Sequence, residues 1–397
     1  MLGSKHNHIL WYLITFFAHL EFNLPIWSFF LADYLWFWFA QAATLWVISF
    51  VTSMIFEVPS GTRADLYSKK KVLLIGLFIQ VCCTSTYLRA DSYNIFVINE
   101  LIRWLWSSMI SWCLIPIVYD RYTANWKKDI FNDFSRNQSI MTFSGRVFAS
   151  ILAGYMFLYD PYLPYIGILI AMIIQLLITT QLVEIQNNSE ASLMSTWLYI
   201  KKWFSDFMSA DQGQLKRITL FFVWWFIFAS ILWFVYQPLF VSIWLEISSL
   251  WFLYAAWSLL SLIWSYMTKY IYKWEWRPTH IVTYFLLILT STWLWLILLP
   301  GSRKLLSLII IQASFGWFWP IMNTYINHSI WSEQRSTINS IVALISTADV
   351  LIGWILAWYL FELLWLGSVY LSLLIWWWVL LVWYIISNKQ NLAPEAN

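Results

Sequence analysis

The sequence predicts an all-α transmembrane protein of twelve helices, divided into two six-helix halves related by pseudo-two-fold symmetry. Three observations predict it. Of 397 residues, 61% are apolar, 21% aromatic and only 11% charged, whereas soluble domains carry about 25% charged residues. Apolar runs of about 20 residues, each long enough to cross about 30 Å of hydrocarbon, recur along the whole chain. Basic residues gather in alternate connections between those runs. A soluble protein of this composition would have to expose its excess apolar surface to water. The net charge of +3 is ordinary for a membrane protein and implies no nucleic-acid partner.

Taken in order, the spans are expected near 9–32, 37–60, 71–89, 93–120, 137–158 and 162–183. The second set follows near 215–242, 249–271, 279–299, 304–328, 336–360 and 366–387. Residues 1–8 are short and polar, and the run after them is too long for a signal peptide and lacks a small-residue cleavage site. It is expected to be a first span, interrupted at Pro25. The longest polar stretch, 184–214, includes an amphipathic run over 193–208 with Lys201, Lys202 and Asp206 among aromatics, which suits a helix lying at the membrane interface. The expected organisation is therefore an N-terminal half (1–185), a cytoplasmic connecting segment (186–214) and a C-terminal half (215–397).

Arg63 with Lys69–Lys71, Arg121 with Lys127, Lys128 and Arg136, Lys201 with Lys202, Lys216 and Arg217, and Lys269 with Lys273 and Arg277 occupy alternate connections. The intervening ones carry only Arg89, Arg303 and Lys304. Under the positive-inside rule the basic set and both termini face the cytoplasm of a cell-membrane protein. Cys82, Cys83 and Cys113 sit in apolar runs without metal-ligand spacing and read as small hydrophobes.

An internal repeat supports the division into halves. Ile151-Leu-Ala-Gly-Tyr-Met-Phe157 returns as Ile355-Leu-Ala-Trp-Tyr-Leu-Phe361, about 204 residues later and six spans on. Parallel repeats of this kind build transporters with a substrate site at the repeat interface near mid-membrane.

After the second span the chain reads Glu57-Val-Pro-Ser-Gly61-Thr-Arg-Ala-Asp65-Leu-Tyr-Ser-Lys69-Lys70-Lys71. This resembles the cytoplasmic loop signature of the major facilitator superfamily, G-x-x-x-D-x-x-G-R-K/R, in the E-x-P-S/T-G-x-x-A-D version of its efflux-type members. Gly61 suits close helix approach, Asp65 can sit near a helix N-terminus and accept basic partners, and the lysines hold the loop at the cytoplasmic side. Ser68 and Lys69 replace the family's Gly and Arg, so a bidentate carboxylate contact there is not implied. Ile321-Met-Asn-Thr-Tyr-Ile-Asn327, followed by Ser332-Glu-Gln-Arg335-Ser-Thr337, is similar to the family's connection between helices ten and eleven. The resemblance covers both halves. It implies the twelve-helix major facilitator fold and secondary active transport by alternating access, leaning toward proton-coupled efflux of a drug or metabolite.

Tryptophan is the compositional anomaly: 32 stand against 11 glycines, although glycine averages about 7% and is more frequent still in membrane helices. Trp104, Trp106 and Trp112 lie in Arg103-Trp-Leu-Trp-Ser-Ser-Met-Ile-Ser-Trp112, where the resembling transporters tend to have glycine. Trp358 matches Gly154 in the repeat, and Trp264 matches Gly61. Many of these positions are expected to be glycine sites, encoded by UGA in a host that reads that codon as glycine. A protein truly rich in aromatics is the alternative.

Charged groups within spans are costly and mark functional positions. Glu21, with His19 and Asn23 beside it, is the leading candidate for a protonatable coupling or substrate-binding group, and Asp349 ranks second. Glu100 and Arg103, three apart on one helix face, can pair; the resemblance links an arginine at this position to proton coupling, and a structural pair is the alternative. Arg146, Asn323 and Asn327 are cavity candidates, while Glu57, Gly61, Asp65, Lys69 and Lys70 form the expected gating loop. No H-E-x-x-H, G-x-x-x-x-G-K-[ST] or G-x-S-x-G pattern occurs, so no enzyme, metal or cofactor is expected. The expected partners are a small-molecule substrate, a proton or other coupling ion and the lipid bilayer, with the protein a monomer. Two alternatives stay open: a polytopic membrane enzyme acting on lipid, and a transporter-like receptor.

Overall fold

The computed structural model describes residues 2–27, 30–37, 39–66, 69–89, 92–122, 128–182 and 247–273, with isolated positions at 316, 344, 347, 348, 350–352, 378 and 382. Within these stretches the chain forms seven α-helices: α1 (Leu2–Ala18), α2 (Phe39–Leu66), α3 (Lys69–Thr86), α4 (Tyr93–Tyr122), α5 (Lys128–Tyr159), α6 (Leu163–Thr180) and α7 (Ile247–Lys273). Helices α2 to α6 correspond to the second to sixth expected spans and α7 to the expected eighth, while α1 covers only the start of the first. The connecting segment 186–214 and most of the later spans lie outside the described residues.

Several helices outrun their apolar runs. The 32-residue α5 begins at Lys128 rather than near 137, because a helix satisfies its own backbone and need not stop where the hydrocarbon does. The extra turns contain Asp133 and Arg136, which pair at 2.6 Å. Arg136, expected in a connection, is therefore helical. Likewise α2 continues to Leu66, so the motif residues 57–66 form the end of a helix instead of a loop.

The first span departs most from expectation. A single helix over 9–32 was predicted with an interruption at Pro25; instead α1 ends at Ala18, and a stretch of turns leads to a short π-helix, Phe30–Tyr34. Pro25 is the physical cause. It lacks an N–H, its ring crowds the carbonyl of Glu21, and it disfavours helical geometry at Leu24. The disturbance thus spreads toward the N-terminus, beyond Pro25 itself. Local bonds absorb the freed backbone groups. The amides of His19 and Leu20 reach the carbonyls of Phe16 (3.1 Å) and Phe17 (3.3 Å), Leu24 reaches Glu21 (3.0 Å), and Ile26 reaches Asn23 (3.0 Å). The His19 ring Nδ1 bonds the Thr15 carbonyl at 2.8 Å, meeting one of the carbonyls the helix end leaves open. Irregular backbone at membrane depth survives only where protein or a cavity surrounds it.

In the bundle α1 lies against α5 and α6, α2 against α4, and α3 against both α4 and α6. One apolar cluster joins Leu10 and Ile14 of α1 to Leu73 and Leu77 of α3. A second, at the opposite end, gathers Trp27, Phe30, Tyr87, Phe96 and Tyr165. Between them Leu20 and Phe22 of the break sit on Ala149 and Ala153 of α5. Small residues on α5 bring it close to the break. A Cβ on Gly145 would stand 2.7 Å from the Phe16 carbonyl oxygen and 3.2 Å from that of His19. The α5–α6 hairpin is tight: Asp160 Oδ1 accepts the Tyr162 amide at 2.7 Å, and proline occupies the first turn of α6. Outward faces stay apolar, with Phe78, Ile98, Leu177, Phe252 and Leu259 about half exposed or more, which is the surface a lipid environment requires. Residues 133–159 and 163–180 are each long and apolar enough to cross a membrane.

Candidate functional site

The break in the first span and the close seat of α5 together position an ion pair. Gly145 lets α5 touch the end of α1, and the next residue, Arg146, extends its Nε to Glu21 Oε2 at 3.0 Å. His19 lies two residues from Glu21 in the same break, held by Thr15. Asn23 supplies a carbonyl to the turn that follows. The Glu21 and Arg146 side chains are 36% and 33% exposed. A charge-assisted contact of this kind contributes roughly 1.5–3 kcal/mol when sheltered, and less at this exposure.

A second pair lies on α4 and is closed. Glu100 is 1% exposed and accepts from Arg103 Nη2 at 2.8 Å and from Ser49 Oγ of α2 at 3.1 Å. The Tyr87 hydroxyl donates to the other carboxylate oxygen. Three donors from three segments thus surround one carboxylate, as a buried charge requires. Arg103 is 28% exposed, and its guanidinium lies 5.1 Å from the Trp104 ring centroid.

Of the residues singled out in the sequence, Glu21 pairs with Arg146 at the break that also holds His19 and Asn23, and Glu100 pairs separately with Arg103. Their partners Ser49 and Tyr87 were not foreseen, because a hydroxyl on a greasy helix carries no local signal of what it faces. The Glu21–Arg146 link was not foreseen either; the only hint was an arginine beside a glycine in an apolar run. Glu57, Gly61 and Asp65 fall on the last turns of α2, and Lys69 opens α3; their side chains lie outside the described residues. Lys70 is described, and its Nζ donates to the Thr180 carbonyl at 2.6 Å, tying the start of α3 to the end of α6. Asp349, Asn323 and Asn327 lie outside the described residues. Among the described residues no cluster of His, Cys, Asp and Glu is arranged to hold a metal.

Comparison with known proteins gives the fold. The chain superimposes on the crystal structure of the human organic anion transporter MFSD10 (TETRAN) with a TM-score of 0.74 and 13% identity, covering 96% of this chain and 99% of that one. A variant of the nucleoside transporter NupG gives 0.69 at 16% identity, covering 96% and 99%. A bacterial homologue of the iron transporter ferroportin gives 0.64 at 13% identity, covering 96% and 98%. These likenesses show the all-α major facilitator fold. In sequence, 175 residues are 25% identical to an uncharacterized MFS-type transporter, YxaM, of Bacillus subtilis (strain 168). That match takes in 42% of this chain and 41% of the relative, less than half the length of each. No family model matches the chain.

Proposed function

We propose that the protein is a secondary active transporter that moves a small organic molecule across the cell membrane by alternating access. The observation that carries this reading is the partly open Glu21–Arg146 pair across a broken first span. Discontinuous helices place charged and backbone groups at a mid-membrane site, and an intramembrane carboxylate that is neither lipid-facing nor sealed marks a substrate or proton path. A proton arriving at Glu21 neutralises the carboxylate and weakens its bond to Arg146. On the outer side that proton displaces a cationic or hydrogen-bond-donating cargo from the carboxylate. Loss of the proton to the cytoplasm restores the charge and readmits cargo there, so proton and cargo move in opposite directions. Glu100, sealed by three donors, holds Arg103 in a separate, structural pair.

In this reading the halves 1–185 and 215–397 rock about the site, joined by the cytoplasmic segment 186–214, with both termini cytoplasmic and a single chain as the working unit. The turns carrying Glu57, Gly61, Asp65, Lys69 and Lys70 act as the cytoplasmic gate. Asp349, Asn323 and Asn327 are the second half's candidates for contact with the cargo. Efflux of a drug or metabolite is favoured by the likeness of the 57–71 segment to efflux-type loops. Proteins of like fold are described as transporters of organic anions, nucleosides and iron, which defines a first panel. In proteoliposomes bearing an imposed pH gradient, at least one labelled nucleoside, organic anion or lipophilic cation should accumulate above its equilibrium level. That accumulation should collapse with a protonophore. Accumulation indifferent to the gradient would remove proton coupling.

A further inference from the structure

Several tryptophans occupy places where the backbone calls for a residue without a side chain. Trp36 is the non-glycine residue with positive φ among the described residues, at +58°. It is 82% exposed in the connection between the π-helix and α2, so no packing compensates the strain. That left-handed region is open to glycine at no steric cost and is uncommon for a bulky side chain. Trp251 poses the converse problem. α5 and α7 run against each other, and at Gly154 the space a Cβ would fill is taken by the Trp251 indole. Membrane helices meet closely through small residues on both faces, and here one face has its glycine and the other an indole.

Hydrogen bonding points the same way. The indole N–H groups of Trp11, Trp27, Trp104 and Trp251 are buried with no hydrogen-bond partner among the described residues. A buried tryptophan ordinarily pairs its N–H, and a tryptophan serving an interfacial belt places it among headgroups. Trp104 also stands on α4 beside Arg103, with its ring near Phe50 of α2 (6.3 Å between centroids), at a crossing of two packed helices. The internal repeat supplies a fourth position independently of geometry: Trp358 answers Gly154 in a segment where five of the other six residues are identical. Excess of one residue and shortage of the other, 32 against 11, has a single explanation if one codon is assigned to the wrong member of the pair.

We infer that positions 36, 104, 251 and 358, written as tryptophan, carry glycine in the protein as the organism bearing the gene makes it, each encoded by UGA. Tryptophans encoded by UGG are tryptophan in both readings. The seam between α5 and α7 then becomes a glycine-to-glycine contact at Gly154, the α4–α2 crossing loses its orphan indole, and the turn before α2 is unstrained. This concerns residue identity and stands whether or not the chain transports anything.

The test is peptide mass analysis of the full chain purified from its own host, set beside the codons of the gene. UGA at all four positions, with peptides lighter by the indole-bearing side chain, is the expected result. UGG at positions 36 and 251, or native peptides that retain the tryptophan mass there, would overturn the inference. UGA codons with tryptophan in the peptides would overturn it equally.

Discussion

A carboxylate and a guanidinium 3.0 Å apart, each about a third exposed, behave differently from a carboxylate that is 1% exposed and held by Arg103, Ser49 and Tyr87. The open pair can be broken and remade at little cost, and the closed one cannot. Arg103→Ala should therefore lower stability by about 3 kcal/mol, the lower end of the range for stranding one member of a buried pair, because Tyr87 and Ser49 continue to donate. Tyr87→Phe should cost about 2 kcal/mol through loss of a bond to a charged acceptor. Thermal midpoints of the detergent-solubilised protein measure both, and an Arg103→Ala midpoint equal to the parent's would mean that Glu100 is not buried as described. Glu21→Gln, in contrast, should leave the midpoint nearly unchanged, since its pair is shared with solvent. These charged residues stood out in the sequence because charge is rare in spans. Their partners were not, since which α2 serine meets an α4 glutamate is decided by helix rotation, to which apolar periodicity is almost blind when both helix faces are greasy.

At the scale of elements, the number and order of the described N-terminal helices were readable from apolar runs, while their ends were not. Runs report where hydrocarbon begins; helices end where backbone bonding fails, so α5 starts well before its apolar part and α2 carries the 57–66 residues in helical form. The broken first span illustrates the other limit. Proline announced an interruption, and the break extends back to His19, where Gly145 seats α5 and turn bonds satisfy the exposed carbonyls. A direct prediction follows from that seat. Gly145→Ala introduces a Cβ 2.7 Å from a backbone oxygen that cannot swing away, whereas Gly167→Ala meets the flexible Met156 Cε at 2.8 Å. The first should cost about 1–3 kcal/mol by overpacking and pull Arg146 away from Glu21; the second should cost less. Comparing the two thermal midpoints checks the ordering, and equal losses would argue against α5 approaching the break so closely.

For the whole molecule, the packing order links the Glu21–Arg146 pair to α7. α1, which ends at the break, packs on α5, and α5 packs on α7, so the proposed rocking of the two halves would be felt at Arg146 and thence at Glu21. The Lys70 bond to the end of α6 is exposed and joins elements within one half. Lys70→Ala should change stability by less than about 1 kcal/mol, and thermal unfolding would reveal a larger role. The fold class and the individual charged residues were legible in the sequence, whereas the pairing of Glu21 with Arg146 and the contact of α5 with α7 depend on which helices touch. The measurement that tests the account most directly is proton movement in proteoliposomes, read with a trapped pH dye as a transported panel compound is added. The parent protein should shift the internal pH on addition of that compound, while Glu21→Gln should show no shift yet still exchange labelled for unlabelled compound. An equal pH shift in parent and Glu21→Gln would contradict the role given to the Glu21–Arg146 pair.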